Sequence, residues 1–238
     1  VTVCQKVLEA ARDAGVSRFV VFGSYFTHFD RVHPRMDLGG RHIYIRTRRE
    51  QRDMVLQANG PGFRTCVLEI PYVIGALPGK VPPWSFLFDM IAGSGKSAWF
   101  FGKGGTAAVT PAQIAQAAMG AIENDPGGKA WPLGGINLDW TELAERFLAI
   151  RGTPKRLLPL PRLLFSLFGM FSAWVLAIRG LERGLSISHF ARFHYLRAFI
   201  DPEPSMAALG YRHDDYDRAL RTMVKEWELS RHRKNRLE

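Results

Sequence analysis

The chain has 238 residues, 47% of them hydrophobic, enough to bury a core of domain size. Its formal net charge is +10, yet no DNA-binding motif accompanies the basic clusters, so nucleic acid is not an expected partner. Two cysteines, Cys4 and Cys66, each lie in an apolar run and read as small core residues of a reducing compartment; no Cys/His cluster has zinc spacing, and no metal is expected.

The chain opens at Val1, without methionine, on a helical pattern of Val3, Val7, Leu8 and Ala11 that stops at Gly15. The apolar run Phe19-Val20-Val21-Phe22-Gly23 predicts a strand near residues 18–22, and Ser24 follows it directly. Then comes His42-Ile43-Tyr44-Ile45-Arg46-Thr47-Arg48. Tyr44 and Arg48 are four residues apart, so a helix places both on one face. A phenol titrates near pH 10, and a fixed cation beside it favours the phenolate. A nearby hydroxyl such as Ser24 can hold a substrate oxygen while the proton moves. Taken alone, the pair fits equally a surface tyrosine on a basic helix. The downstream segments decide between these readings.

Gly60-Pro61-Gly62 marks a turn before Arg64-Thr65-Cys66-Val67-Leu68-Glu69-Ile70, which reads as a buried strand running into Pro71, Tyr72, Val73, Ile74 and Gly75. Residues 84–92 read as a helix. Gly93-Ser94-Gly95-Lys96-Ser97 looks like the end of a phosphate loop. However, Met90 stands where that motif needs its first glycine and no strand leads in, so it reads as a turn. Thr110, Pro111 and Gln113 form a capping box that starts a helix. A strand follows near 129–133. Asp139 and Glu142 repeat the capping-box pattern, for a helix ending before Gly152.

Residues 163–178 carry no charge and are bracketed by Arg162 and Arg179. At sixteen residues the segment is short for a membrane span, which takes about twenty. It fits a buried helix, a helix lying in a membrane interface, or a true span. Ala207-Ala208-Leu209-Gly210-Tyr211 and an amphipathic helix closed by Trp227 follow, and Arg231 to Arg236 form a basic, solvated end.

Taken in order, several segments resemble the extended short-chain dehydrogenase/reductases, the NAD-dependent epimerase/dehydratase superfamily. They are Ser24, Tyr44-x-x-x-Arg48, the strand ending in Pro71, Val73 and Gly75, the capped helix after Thr110, and Asp201 with the Ala207–Tyr211 and Trp227 features. The resemblance covers nearly all of the chain. It implies an α/β fold, with the C-terminal part of a Rossmann-type parallel sheet and a smaller, mostly helical substrate domain. Residues 1–75 and 108–134 fall to the nucleotide-binding part. Residues 76–107 and 135–238, with the apolar helix 163–178, fall to the substrate part. It further implies Ser24, Tyr44 and Arg48 as catalytic residues and NAD or NADP as cofactor, contacted by Tyr44, Arg48, Pro71 and Val73. The expected activity is hydride transfer on a carbonyl or alcohol of a hydrophobic small molecule, with reductase, epimerase and dehydratase all open.

Three features depart from the family pattern. Arg48 stands in place of lysine, and Glu69 in place of arginine. No G-x-G-x-x-G or G-x-x-G-x-x-G lies between a strand and a helix. The last departure predicts that this chain is the C-terminal part of a longer protein whose first β-α units precede Val1. The first two favour a rival reading, a non-catalytic member that binds a nucleotide or a lipid. Expected partners are a small-molecule substrate and, through 163–178, a peripheral membrane contact; homodimerisation is open. The expected location is cytoplasmic, with membrane association as the alternative.

Overall fold

The computed structural model describes residues 2–82, 84–93, 95–101, 103–167, 185 and 187–235. Helix α1 (Thr2–Asp13) ends near Gly15, whose φ of 75° is left-handed and suits glycine. Leu8 points into a core with Val21, Val55, Phe63 and Val67. Val3 and Val7, which also fit the apolar pattern, face solvent.

Strand β1 (Arg18–Ser24) pairs in parallel with β2 (Arg64–Ile70), and β6 (Lys129–Pro132) joins β2 in parallel on its other side. The order is β1-β2-β6. Parallel neighbours need a crossover, because the chain must return to the same end before pairing. Between β1 and β2 that crossover is helical: α2 (Phe26–Val32), α3 (Leu38–Arg41) and α4 (Ile43–Gln57). Both Ser24 and Tyr44 therefore lie on the path leaving the C-terminal end of β1.

A second sheet holds β3 (Tyr72–Val73), β5 (Gly105–Val109) and β7 (Ile136–Asp139), with β9 (Arg197–Ala198) also on β5. The β5–β7 pair is antiparallel. A third sheet pairs β4 (Ser97–Phe101) with β8 (Arg156–Leu160) in parallel. Helices α5 (Ser85–Ala92), α7 (Trp140–Arg151) and α10 (Tyr216–Asn235) bring Phe88, Phe147 and Trp227 together. The Phe88 and Phe147 rings stack at 4.4 Å, and Trp227 meets both edge-on. The architecture is α/β with a Rossmann-like parallel sheet. The region after Asp139 is less purely helical than predicted, since β8 and β9 return to pair with earlier strands.

The Thr110 capping box forms in full at the start of α6 (Pro111–Glu123): Thr110 accepts from the Gln113 amide and Gln113 from the Thr110 amide. The Asp139 box does not form. Asp139 occupies the N-cap position of α7, but its side chain makes no capping bond. Both its oxygens accept from Arg197 at 2.9 Å, and this bidentate ion pair turns the carboxylate away from the amides of the first turn. Glu142 pairs instead with Arg146. Residues 231–235 of the basic end continue α10, where Arg231 lies over Trp227, and cations there complement the helix dipole; Arg236 lies outside the described residues. Residues 162–167 are helical, and 168–178 of the predicted apolar helix lie outside the described residues. Among the described residues, no helix is long and apolar enough to cross a membrane.

Glu69, near the end of β2, has no exposed surface. Its carboxylate accepts from Thr27 Oγ1 at 2.6 Å and from Arg31 Nη2 at 3.2 Å, and Arg52 Nη1 lies at 3.9 Å. Arg52 also donates to the Thr27 carbonyl at 3.1 Å. A buried carboxylate is tolerated when it is both paired and hydrogen-bonded. This one fastens α2 and α4 to β2.

Two stability predictions follow from this packing. Gly120 of α6 abuts α9 (Glu203–Leu209), and a Cβ there would lie 1.7 Å from the Leu209 carbonyl oxygen. Alanine gains up to about 1 kcal/mol of helix propensity, but the clash separates the helices, so Gly120→Ala should destabilise by about 1–3 kcal/mol net. An unchanged urea midpoint would show that the two helices do not dock here. Glu69→Ala leaves the buried Thr27 hydroxyl and the Arg31 guanidinium without the carboxylate, whereas Arg52 keeps Asp53 at 2.6 Å. The expected loss is about 1–3 kcal/mol, and smaller for Glu69→Gln, which keeps an acceptor for Thr27. A loss under about 1 kcal/mol for Glu69→Ala would mean that the arginines find water instead.

Candidate active site

Ser24 closes β1, and the C-terminal ends of parallel strands are where α/β sheets bind ligands. Its side chain is buried, and its Oγ accepts the Phe26 amide at 3.4 Å. Its carbonyl accepts from the Thr27 hydroxyl at 2.7 Å. These bonds fix the turn from strand to helix.

Tyr44 sits in the first turn of α4, half-buried, in a cluster with Tyr25, Phe26, Ile45 and Phe190. The Phe26 ring meets it edge-on at 6.2 Å. The Arg48 guanidinium carbon lies 5.4 Å from the Tyr44 ring centroid, a cation–π contact. Arg48 Nη1 also donates to Gln51 Oε1 at 2.9 Å. The predicted helical pair is thus brought together, with the cation on the ring face. Ser24 and Tyr44 meet through Phe26, whose amide holds the serine and whose ring holds the tyrosine. Phe26 was not visible as a site residue in the sequence, because nothing in its spacing distinguishes it from core.

Two further phenols stand close by. Tyr25 is buried, with its hydroxyl 3.1 Å from Thr106 Oγ1 and its ring edge-on to Tyr72 at 6.1 Å. Burial above all, then the neighbouring phenols Tyr72 and Tyr44, pushes Tyr25 well above the usual phenol range, against a smaller opposing effect from Thr106. Burial raises Tyr72 in the same direction. Both stay neutral at any physiological pH. Tyr44 is the phenol of the three with a guanidinium on its ring.

Pro71 is buried beyond the end of β2. Val73 pairs with Val109 and packs in a core with Leu68 and Leu133, so much of its side chain is committed to the interior. Between them, Tyr72 stacks on Trp84 at 4.2 Å. Tyr72 and Thr106 also line an apolar cavity of about 20 Å³, room for little more than one water. Cys66 is buried, and loss of solvation, with Asp125 nearby, raises its thiol to about 12, so it is no nucleophile. Burial among Trp140 and Phe165 lowers His194 to about 3, so its ring is neutral.

Of the predicted site residues, Tyr44 and Arg48 are in contact and Ser24 reaches Tyr44 through Phe26, while Pro71 stands apart at the end of β2. The pyrophosphate end of a nicotinamide nucleotide requires a glycine turn between a strand and a helix, and the sequence has none.

No protein-family model matches the chain, and no curated protein matches it. Solved structures do. A crystal structure of gox2253 aligns with TM-score 0.72 and 18% identity, covering 97% of this chain and 71% of that one. RMD from Pseudomonas aeruginosa, complexed with NADPH, aligns with TM-score 0.61 and 13% identity, over 95% and 72% of the two chains. UDP-glucose 4-epimerase from Bifidobacterium longum, in complex with NAD+ and UDP, aligns with TM-score 0.60 and 12% identity, over 95% and 68%. At these identities the similarity is one of fold, and that fold is the one used by nicotinamide-dependent sugar epimerases.

Proposed function

We propose that this chain carries the proton-transfer half of an NAD(P)-dependent oxidoreductase or epimerase acting on a carbonyl or alcohol carbon. The observation that carries the reading is the Tyr44–Arg48 pair on α4, set beside Ser24 at the end of a parallel strand. A bound nicotinamide supplies or accepts the hydride. Tyr44 gives or takes the hydroxyl proton of the substrate. Ser24 orients the substrate oxygen with its hydroxyl. Arg48 keeps a permanent positive charge against the Tyr44 ring and fixes the ring's position. NAD and NADP remain equal candidates, since no ribose-reading acidic or basic residue can be assigned.

A second reading has its own support. Glu69 stands where the resembling family has arginine, and it serves an internal ion cluster instead. Arg48 bonds Gln51 as well as facing Tyr44. A non-catalytic member that binds a nucleotide or lipid would tolerate both changes.

Substitution at Tyr44 and Arg48 separates the readings. In protein showing NAD(P)-dependent turnover, Tyr44→Phe keeps the packing on Phe26 and loses the proton, so kcat should fall about 10²- to 10⁴-fold. A fall of less than about threefold, with chemistry rate-limiting, would remove Tyr44 from the acid/base role. Arg48→Lys should retain activity. Arg48→Met should lose most turnover, because nothing replaces the cation on the Tyr44 ring. Full turnover in Arg48→Met would favour the non-catalytic reading.

A further inference from the structure

On the Tyr44 side of the molecule lies a cavity of about 510 Å³ that the roles above do not use. Arg41, Arg162 and Arg192 line it, together with Met36, Leu38, Ser166 and Ala191. The three arginines come from three separate parts of the chain: the end of α3, the segment after β8, and α8 (Ile187–His194). No acidic residue is among the described residues that line it. Arg41 has Asp37 at 4.0 Å, a distant and largely exposed partner. Among the described residues, neither Arg162 nor Arg192 makes an ion pair. Like charges on one cavity repel, and among the described residues only the distant Asp37 offsets them.

The cavity adjoins the proposed reaction site. Met36 and Leu38 pack in the same cluster as Tyr44, and Phe190 and Phe193 of α8 pack on Phe26. Arg41 precedes Tyr44 by less than one helical turn. Guanidinium groups present paired donors that match phosphoryl oxygens. The volume lies in the range of sites for whole organic ligands, far beyond a lone phosphate. Leu38 and Ala191 give it buried apolar walls, and Met36 a half-buried one.

The geometry points to a substrate subsite for a phosphomonoester with an apolar body, its phosphoryl group held by Arg41, Arg162 and Arg192. This rests on the Tyr44-centred reading for its place beside the chemistry. It refines the expected hydrophobic substrate by giving it an anionic head.

Binding tests it without any need for turnover. Octyl phosphate and inorganic phosphate are titrated by calorimetry into the full chain, the Arg162→Gln/Arg192→Gln variant, and Arg12→Gln on the exposed face of α1. Octyl phosphate should bind at least tenfold tighter than inorganic phosphate. The double variant should lose at least tenfold in affinity for octyl phosphate, and Arg12→Gln should lose none. Should the double variant fail to fold by circular dichroism, Arg162→Lys/Arg192→Lys keeps the charge and should show a smaller loss, because lysine lacks the paired donors. Vesicles of phosphatidylcholine with and without phosphatidic acid identify the source. Phosphatidate-dependent flotation abolished in the double variant assigns the phosphomonoester to a membrane lipid, and absence of flotation assigns it to a soluble molecule. Equal octyl phosphate affinity in all variants would overturn the proposal, as diffuse attraction to a chain of charge +10. Arginine-dependent binding combined with full turnover in Tyr44→Phe would keep this subsite and reject the catalytic reading.

Discussion

A single carboxylate with no exposed surface, Glu69, determines how the crossover helices meet the parallel sheet. Charge of this kind is costly to bury, so its partners cannot move far without leaving it unpaired. Thr27 and Arg31 come from α2, and Arg52 from α4. Arg52 reaches the Thr27 carbonyl as well, which ties the two helices to each other. Ser24 lies directly before α2, and Tyr44 lies two helical turns before Arg52 on α4. The same ion cluster therefore reaches Ser24 through the Thr27 hydroxyl and holds α4, which carries Tyr44, against the sheet. Replacement of the family's arginine by Glu69 reads differently in this light. At this position the carboxylate collects Thr27, Arg31 and Arg52 around itself and serves the packing of the crossover.

Aromatic packing completes what the ion cluster begins. Phe26 contacts Tyr25, Tyr44, Phe190 and Phe193. Tyr25 in turn meets Phe29, Tyr72 and Phe193. Such a cluster is dry, and dryness separates the phenols chemically. Tyr25, sealed within it, and Tyr72, half-buried against it, are disfavoured as anions by loss of solvation. Tyr44 sits at the cluster's edge with a guanidinium on its ring. The same packing that orients the candidate acid/base also keeps its neighbours from competing for the proton.

What was legible in the sequence follows from how local each signal is. The first two strands were readable because continuous apolar runs end at Ser24 and Pro71. The Thr110 box was readable because its bonds span three residues. The Tyr44–Arg48 contact was readable from helical spacing alone. The Asp139 box failed because a partner 58 residues away, Arg197, took both carboxylate oxygens, and spacing carries no information about such competition. Strands β8 and β9 were missed for a related reason. Each is short, and each is defined by a distant partner, β4 and β5 respectively. The Glu69 cluster was visible as an odd residue type, but its partners Arg31 and Arg52 could not be assigned without the fold.

Although Lys129 lies over Trp131, arginine recurs at several of this chain's electrostatic contacts. It neutralises Glu69, covers Tyr44, displaces the Asp139 cap, lies over Trp227 and lines the cavity beside α8. The guanidinium is weakly hydrated, planar and permanently charged, so it can lie on a ring or grip a carboxylate with little desolvation penalty. A lysine at position 48 would present a compact, strongly hydrated charge that pays more to approach an aromatic face. With Arg48 the charge is spread over a plane facing the ring, and Gln51 satisfies one of its donors. The departure from lysine is thus physically consistent with an aromatic, partly dry surrounding. What results is a fixed cation over the ring face, steadied by its bond to Gln51.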